Sequence, residues 1–239
     1  MRWNTQKLKE GEPLKKNKLY ELTAEQPIAT FMEEHDDSEP EIVDVEVKMP
    51  KNGSAVVANE YRNKDFSKSK AADILCILLD ESAKEIFTYI YDIKRTMTGY
   101  DLTKPVEELR KEAVKRIMDF IGQMQDSMIH AAGLTVLYQY DGYMETVDFG
   151  IITREFDTEK IRRLGEKLES VLEEPATVHG AIGKKYYIAT QPLRKEIDIV
   201  KNFGNRKIRI LNQMYDLQVI LLEYSETKDA YYQKIAIGG

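Results

Sequence analysis

Asp92 and Lys94 stand two residues apart at the end of an apolar run, Ile86-Phe-Thr-Tyr-Ile-Tyr-Asp-Ile-Lys94. In an extended strand alternate side chains share a face, so Ile86, Thr88, Ile90, Asp92 and Lys94 project together. A carboxylate and an ammonium then sit at the end of a face otherwise fitted for burial, which is costly unless they pair or bind something. Asp73 opens the preceding apolar run. If the two runs form an antiparallel hairpin, Asp73 comes beside the end of the second run at one edge of the sheet. Two carboxylates and an amine at such an edge suit phosphodiester hydrolysis. The carboxylates hold a hard divalent cation, Mg²⁺ or Mn²⁺, that polarises the phosphate and lowers the pKa of a bound water. The lysine orients that water or offsets the negative charge of the transition state. Asp73 and Asp92 are therefore the expected metal ligands and Lys94 the expected electrostatic catalyst. The competing structural reading is an Asp92–Lys94 pair at a strand end with no metal. Glu46-Val47-Lys48 carries the same acid-x-lysine pattern, but Ile42, Asp44, Glu46 and Lys48 share one face of a half-polar run, which reads as a solvated outer strand.

The segment Lys70-Ala-Ala-Asp73-Ile-Leu75, then Tyr91-Asp92-Ile93-Lys94-Arg95-Thr96, then an amphipathic helix and a strand from Leu134 follow in an order that resembles the PD-(D/E)XK nuclease superfamily, over roughly residues 54 to 140. The Asp-Ile-Lys-Arg-Thr run is also similar to the Asp-Tyr-Lys-Thr form of RecB-like members. Those members continue with Gln-x-x-x-Tyr in the next helix. Here Ser127 follows Gln123 and Ile129 follows Gln125 at that spacing, so the resemblance is to the superfamily and not to the branch. It implies an α/β fold with a mixed central sheet and flanking helices, a restriction-endonuclease-like core, and metal-dependent nuclease activity, here expected on DNA. It also implies a role for Glu60 as a further metal ligand, since a carboxylate shortly before the core often serves so in this superfamily; pairing of Glu60 with Arg62 is the alternative.

Several elements must position these groups. Alternation over Glu41–Lys48, the turn residues Pro50-Lys-Asn-Gly53 and the apolar run Ala55–Ala58 predict a hairpin. The continuously apolar runs at 73–79 and 86–94 predict strands at the centre of the sheet. Thr103 and Pro105 offer a helix start, and Val106, Leu109, Ala113, Ile117, Ile121, Met124 and Met128 form one helical face ending near Gly133. Strands are expected at 134–140, 147–153 and 185–190. A helix capped by Asp157 or Thr158 is expected to carry Ile161, Leu164, Leu168 and Val171 as far as Pro175. Between Arg206 and Tyr224, Ile208 and Ile210 alternate like a strand, while Met214–Leu222 fits either type.

Charge is distributed in blocks. The net charge is -6, but residues 19 to 46 carry ten acidic side chains and no Lys or Arg. This divides the chain into a polar, acidic approach segment, 1–40, and a nuclease domain, 41–239, with a C-terminal elaboration. Basic residues flank the expected site: Arg62, Lys64, Lys68, Lys70 and Arg95 nearby, and Arg206, Lys207 and Arg209 later, suited to a nucleic-acid backbone. The single Cys76 excludes an internal disulfide, and the three histidines show no His-x-x-x-His zinc pattern. No phosphate-binding Gly-x-x-x-x-Gly-Lys loop is present, which argues against a nucleoside triphosphatase. Apolar runs are too short to span a bilayer and the N-terminus is polar, so a cytoplasmic protein without membrane contact is expected. By analogy, a compact nuclease of this kind suggests an effector in bacterial antiviral defence or restriction, acting with a partner protein or as a homo-oligomer. The rival reading is a non-catalytic nucleic-acid-binding or complex-assembly subunit that retains the fold.

Overall fold

The run Ile74–Leu79 is apolar at every position and is buried on both faces, as a strand covered by structure on each side must be. The computed structural model describes residues 4–34, 38–62, 70–138, 140, 142–172 and 181–238, with side chains described except at 181–187. In chain order the elements are β1 (Lys18–Leu22), β2 (Ile28–Glu33), β3 (Glu41–Val47), β4 (Gly53–Asn59), β5 (Ile74–Asp80), β6 (Glu85–Thr96), α1 (Val106–Leu109), a wide π-type turn (Arg110–Val114), α2 (Lys115–Leu137), β7 (Met144–Glu155), α3 (Thr158–Glu169), α4 (Ala181–Gly204), β8 (Lys207–Ile210), β9 (Gln213–Leu221), β10 (Glu223–Ser225) and β11 (Ala230–Ile237).

The class is α/β, built on two mixed sheets. A seven-stranded sheet has the order β1-β4-β5-β6-β7-β9-β8, and a four-stranded sheet has the order β10-β11-β3-β2. Strands β4, β5 and β6 pair antiparallel in succession, whereas β6, β7 and β9 run parallel. The helical stretch between β6 and β7 provides the crossover that a parallel pair requires. Helices pack on one face of the large sheet, where Ile117, Phe120, Met124, Ile161, Leu164, Val200 and Phe203 meet Leu75, Ile77, Ile90 and Phe149. The small sheet covers the other face, where Phe31, Val43, Val45 and Ile235 meet Val57, Cys76, Leu78 and Tyr91. Among the described residues the flanking helices thus occupy one side, and a second sheet takes the place expected for the others.

Four expectations change. The strands β3 and β4 do not form a hairpin: the turn at Pro50–Gly53 carries the chain from the small sheet to the large one. β3 has the expected alternation, with Val43, Val45 and Val47 buried, but it is an interior strand between β11 and β2 and not an outer one. Residues 134–137 form the last turn of α2 and not a strand. Val136 and Leu137 are both exposed there, so their alternation with Thr135 marks no buried strand face. Residues 185–190 lie in α4, which continues through Pro192 and is held by Ile197, Val200 and Phe203 against the large sheet. The stretch from 207 to 225 resolves into β8, β9 and β10. Residues 18–33 of the acidic approach segment supply β1 and β2, one in each sheet. Among the described residues, no helix is long and apolar enough to cross a membrane.

Candidate active site

The β5–β6 hairpin forms as its apolar pattern requires, with Ile74 opposite Tyr91. One step further along this register sets Asp73 opposite Asp92, and the β4–β5 register sets Glu60 opposite Asp73. Three carboxylate-bearing positions therefore form one row across the ends of adjacent strands. Asp92 continues the parity of Ile90, on the helix-covered face, while Asp73 lies in the bend that leads into β5.

Hydrogen bonds fix the pair. The Asp73 N–H donates to Asp92 Oδ1 at 3.3 Å, and the Ile93 N–H donates to Asp73 Oδ2 at 2.7 Å. Just upstream, the Ala72 N–H donates to Ser127 Oγ of α2 at 2.7 Å, which anchors the entry to β5 on the helix layer. Lys94 Nζ lies 2.6 Å from Asp92 Oδ2, though off the direction of a well-formed hydrogen bond. Asp92 is fully buried, and Asp73 is 7% exposed.

A fourth carboxylate arrives from the other sheet. Glu33, at the end of β2, brings an oxygen to the same place, and ligand oxygens of Glu33, Glu60 and Asp73 lie within 4.8 Å of one another. Lys16 contacts Glu60 closely and stands 3.7 Å from Glu33, and Arg62 lies 3.6 Å from Glu60. Glu60 itself has φ +45°, a left-handed backbone that turns the chain out of β4 at this point.

Burial sets the electrostatics. Asp73 is held well above the usual carboxylate range, first by burial and then by the adjacent Asp92 charge; Lys94 and the Ile93 N–H pull the other way and are outweighed. For Lys94, burial pulls downward, but the charges of Asp92 and Asp73 outweigh it and hold the ammonium above its ordinary value. Lys94 is thus a fixed cation at neutral pH and not a proton acceptor.

These residues suit a hard divalent cation. The donors that lie together are carboxylate oxygens of Glu33, Glu60 and Asp73, within 4.8 Å of one another, the oxygen donors that such a cation takes; Asp92 adjoins Asp73. Of the expected ligands Asp73, Asp92 and Glu60, the structure groups Asp73 and Glu60 with Glu33, and Asp92 lies outside that group. No sequence signal marked Glu33, which is one acid among many in an acidic stretch, nor Lys16 and Ser127.

The expected nucleic-acid contacts divide. Arg62 is at the site, and Arg95 follows it directly and is exposed. Lys70 turns to α2, where its Nζ lies 3.0 Å from Asp119. Lys64 and Lys68 lie outside the described residues. Arg206, Lys207 and Arg209 are on or beside β8, three strands from β6, a lateral separation of about 14 Å. Register carries Lys207 to the row of Tyr89 and Arg209 to that of Phe87, away from Asp92 and toward the other end of the sheet. Lys207 and Arg209 instead line, with Lys195, a groove of about 660 Å³ beside α4 that none of the site carboxylates lines.

The remaining candidates lie elsewhere. Glu46 projects from β3 and pairs with Lys234 at 2.9 Å, and Lys48 is exposed beyond the end of that strand. Cys76 is fully buried, which pushes its thiol pKa up, and His130 is buried, which lowers its own. Neither presents a reactive group. Compared with known proteins, the chain matches no family model, no curated protein and no solved structure.

Proposed function

We propose that the protein is a metal-dependent nuclease that hydrolyses phosphodiester bonds of DNA on a core like that of the PD-(D/E)XK, restriction-endonuclease-like enzymes. The observation that carries this reading is the meeting of Asp73, Asp92 and Lys94 at one edge of the β5–β6 hairpin. The order of elements supports it as well: a strand led by Asp73, a strand ending in Asp92-Ile93-Lys94, a long helix, and then a strand parallel to the second. That last strand is β7, ten residues later than Leu134.

Asp73, Asp92, Glu60 and Glu33 would hold Mg²⁺ or Mn²⁺. When bound, the cation polarises the scissile phosphate and makes an attacking water more acidic. The chain supplies the rest. The backbone N–H of Ile93 and that of Asp73 hold the two aspartates in fixed orientations, so little reorganisation accompanies the reaction. Lys94 presents a permanent positive charge beside them, positioned to offset the negative charge that grows on the phosphate oxygens. Arg62 and Arg95, both at or beside the site, are placed to hold flanking phosphates.

One observation favours the rival, a non-catalytic nucleic-acid-binding or assembly subunit. Lys94 already faces Asp92, and Lys16 and Arg62 already face Glu60, so three cations meet the four carboxylates without a metal. Plasmid degradation in Mg²⁺ or Mn²⁺ by wild type and Lys94→Ala separates the two. Cleavage by wild type and a loss of about 100-fold or more in the variant are expected. Equal activity in the two sinks the role of Lys94, and no cleavage by wild type with either metal favours the rival. Lys48→Ala should cleave as wild type does.

A further inference from the structure

The N-terminal strap places a lysine on the same carboxylates that would hold the cation. Leu14 is buried between the layers, and its N–H donates to the Thr30 carbonyl of β2 at 2.9 Å. Its own carbonyl accepts from Asn59 Nδ2 of β4 at 3.2 Å, and the Asn17 N–H donates to the Asn59 carbonyl at 2.7 Å. Residues 14–17 therefore cross from the small sheet to the large one by backbone contacts that do not involve the Lys16 side chain. Their effect is to aim Lys16 at Glu60 and Glu33, one carboxylate from each sheet.

We infer that Lys16 is a tethered counter-ion of this cluster, competing with a divalent cation for Glu60 and Glu33 and so setting the metal concentration at which the site fills. The inference rests on the reading of these carboxylates as metal ligands. Two ammonium groups occupy the cluster, and they differ in how easily they can leave. The Lys94 side chain is 29% exposed and faces a fully buried Asp92, so withdrawing it would strand a buried charge. The Lys16 side chain is 57% exposed, and its long stem can swing into water while the strap stays docked. A cation entering beside Asp73 would be repelled by an ammonium on the adjacent carboxylates, and Lys16, nearer to Glu60 than Arg62 at 3.6 Å, is the group that has to move away. The strap thus keeps three clustered carboxylates, Glu33, Glu60 and Asp73, tolerable without metal and yields when metal arrives.

Mn²⁺ binding to the full chain, read by the loss of the free-ion electron paramagnetic resonance signal, tests this without any cleavage assay. Lys16→Gln should bind Mn²⁺ about two- to fivefold more tightly than wild type, the scale on which a partly exposed ion pair opposes a competitor. Lys16→Arg should stay within about twofold of wild type because it keeps the charge. Lys15→Gln, an equal change of net charge one residue away, should leave affinity unchanged, and thermal unfolding of each variant checks that the strap remains docked. Equal or weaker binding by Lys16→Gln, with wild type binding measurably, overturns the inference and leaves the metal site standing. Absence of Mn²⁺ binding by both at millimolar concentration overturns the inference together with the metal-site reading beneath it.

Discussion

Asp73→Asn should stabilise the metal-free protein while removing metal-dependent cleavage. Asp73 is almost wholly buried and lies beside Asp92, and burial followed by that neighbouring charge holds its carboxyl well above the usual range. Wherever Asp73 is ionised, the fold holds two buried carboxylates against the single ammonium of Lys94. Asparagine has nearly the same shape. It retains an oxygen to accept the Ile93 N–H, and its amide nitrogen can turn a donor toward Asp92, replacing repulsion by a hydrogen bond. The Asp92–Lys94 pair is left balanced. Relieving one of two like charges in a buried site contributes about 1 to 3 kcal/mol, on the scale measured when buried ionic groups are replaced. For a chain of this length each kcal/mol moves Tm by about 2 to 4 °C, so a rise of roughly 2 to 12 °C is expected.

The pH dependence carries a sign that tests the cause. The folded-state pKa of Asp73 is raised above its unfolded value, so folding favours its protonated form. Its contribution to stability is fully present below the unfolded value, near 4, and is lost as pH rises through the folded value. Thermal unfolding in excess chelator between pH 4 and pH 8 should therefore show the variant gaining on wild type as pH rises. Adding Mg²⁺ or Mn²⁺ should reverse the order, since only wild type keeps the full ligand set. A variant less stable than wild type in chelator at pH 7, or a difference between the two that does not change with pH, would refute the electrostatic account of the site.

Two further substitutions test other parts of the structure. Arg154 of β7 reaches the small sheet, with Nε 2.5 Å from Oε1 of the fully buried Glu41, so Arg154→Met should cost about 3 to 5 kcal/mol in urea unfolding; a loss below about 1 kcal/mol would mean that this pair does not hold the sheets together. Arg209→Ala should lower DNA affinity and reduce the slope of log K against log salt by about one, measured by fluorescence anisotropy in the Asp73→Asn background; an unchanged slope would remove the β8 edge from the DNA path.

What the sequence disclosed depended on how far apart in the chain the cooperating residues lie. The β5–β6 hairpin is local, its two strands are apolar throughout, and the turn Asp80–Glu85 between them is short. Pairing was therefore readable, and with it the adjacency of Asp73 and Asp92. The same local logic failed for β3 and β4. Pro50–Gly53 is a real turn and each flanking run has a buried face, but nothing in either run records that the partners are β2 and β11 for one strand and β1 and β5 for the other. Alternation misled in the opposite way at 134–137 and 185–190, where apolar residues such as Val136, Leu137 and Ile188 are exposed on helices and mark no sheet face. Helix formation there is decided by neighbours: Ala131 and Leu134 in α2, and Ile197, Val200 and Phe203 in α4, reach the shared core and carry the adjoining turns with them.

The same distinction divides the site itself. Asp73, Asp92 and Lys94 belong to one hairpin, and Glu60 extends its row by one strand. Glu33 and Lys16 come from segments whose placement is fixed only when the small sheet closes over the large one, through contacts such as Leu14 to Thr30 and Asn17 to Asn59. An acidic stretch before the core reads as a solvated approach because like charges in sequence repel and favour exposure. In the fold, Glu33 escapes that expectation because Phe31 and Ala29, on the same face of β2, are buried against the large sheet and carry it inward. Glu33 then needs positive charge close by, from Lys16 or from a metal. The acidic segment therefore contributes a ligand position and its strap the competing lysine, so that N-terminal truncation before β2 should alter metal affinity as well as stability.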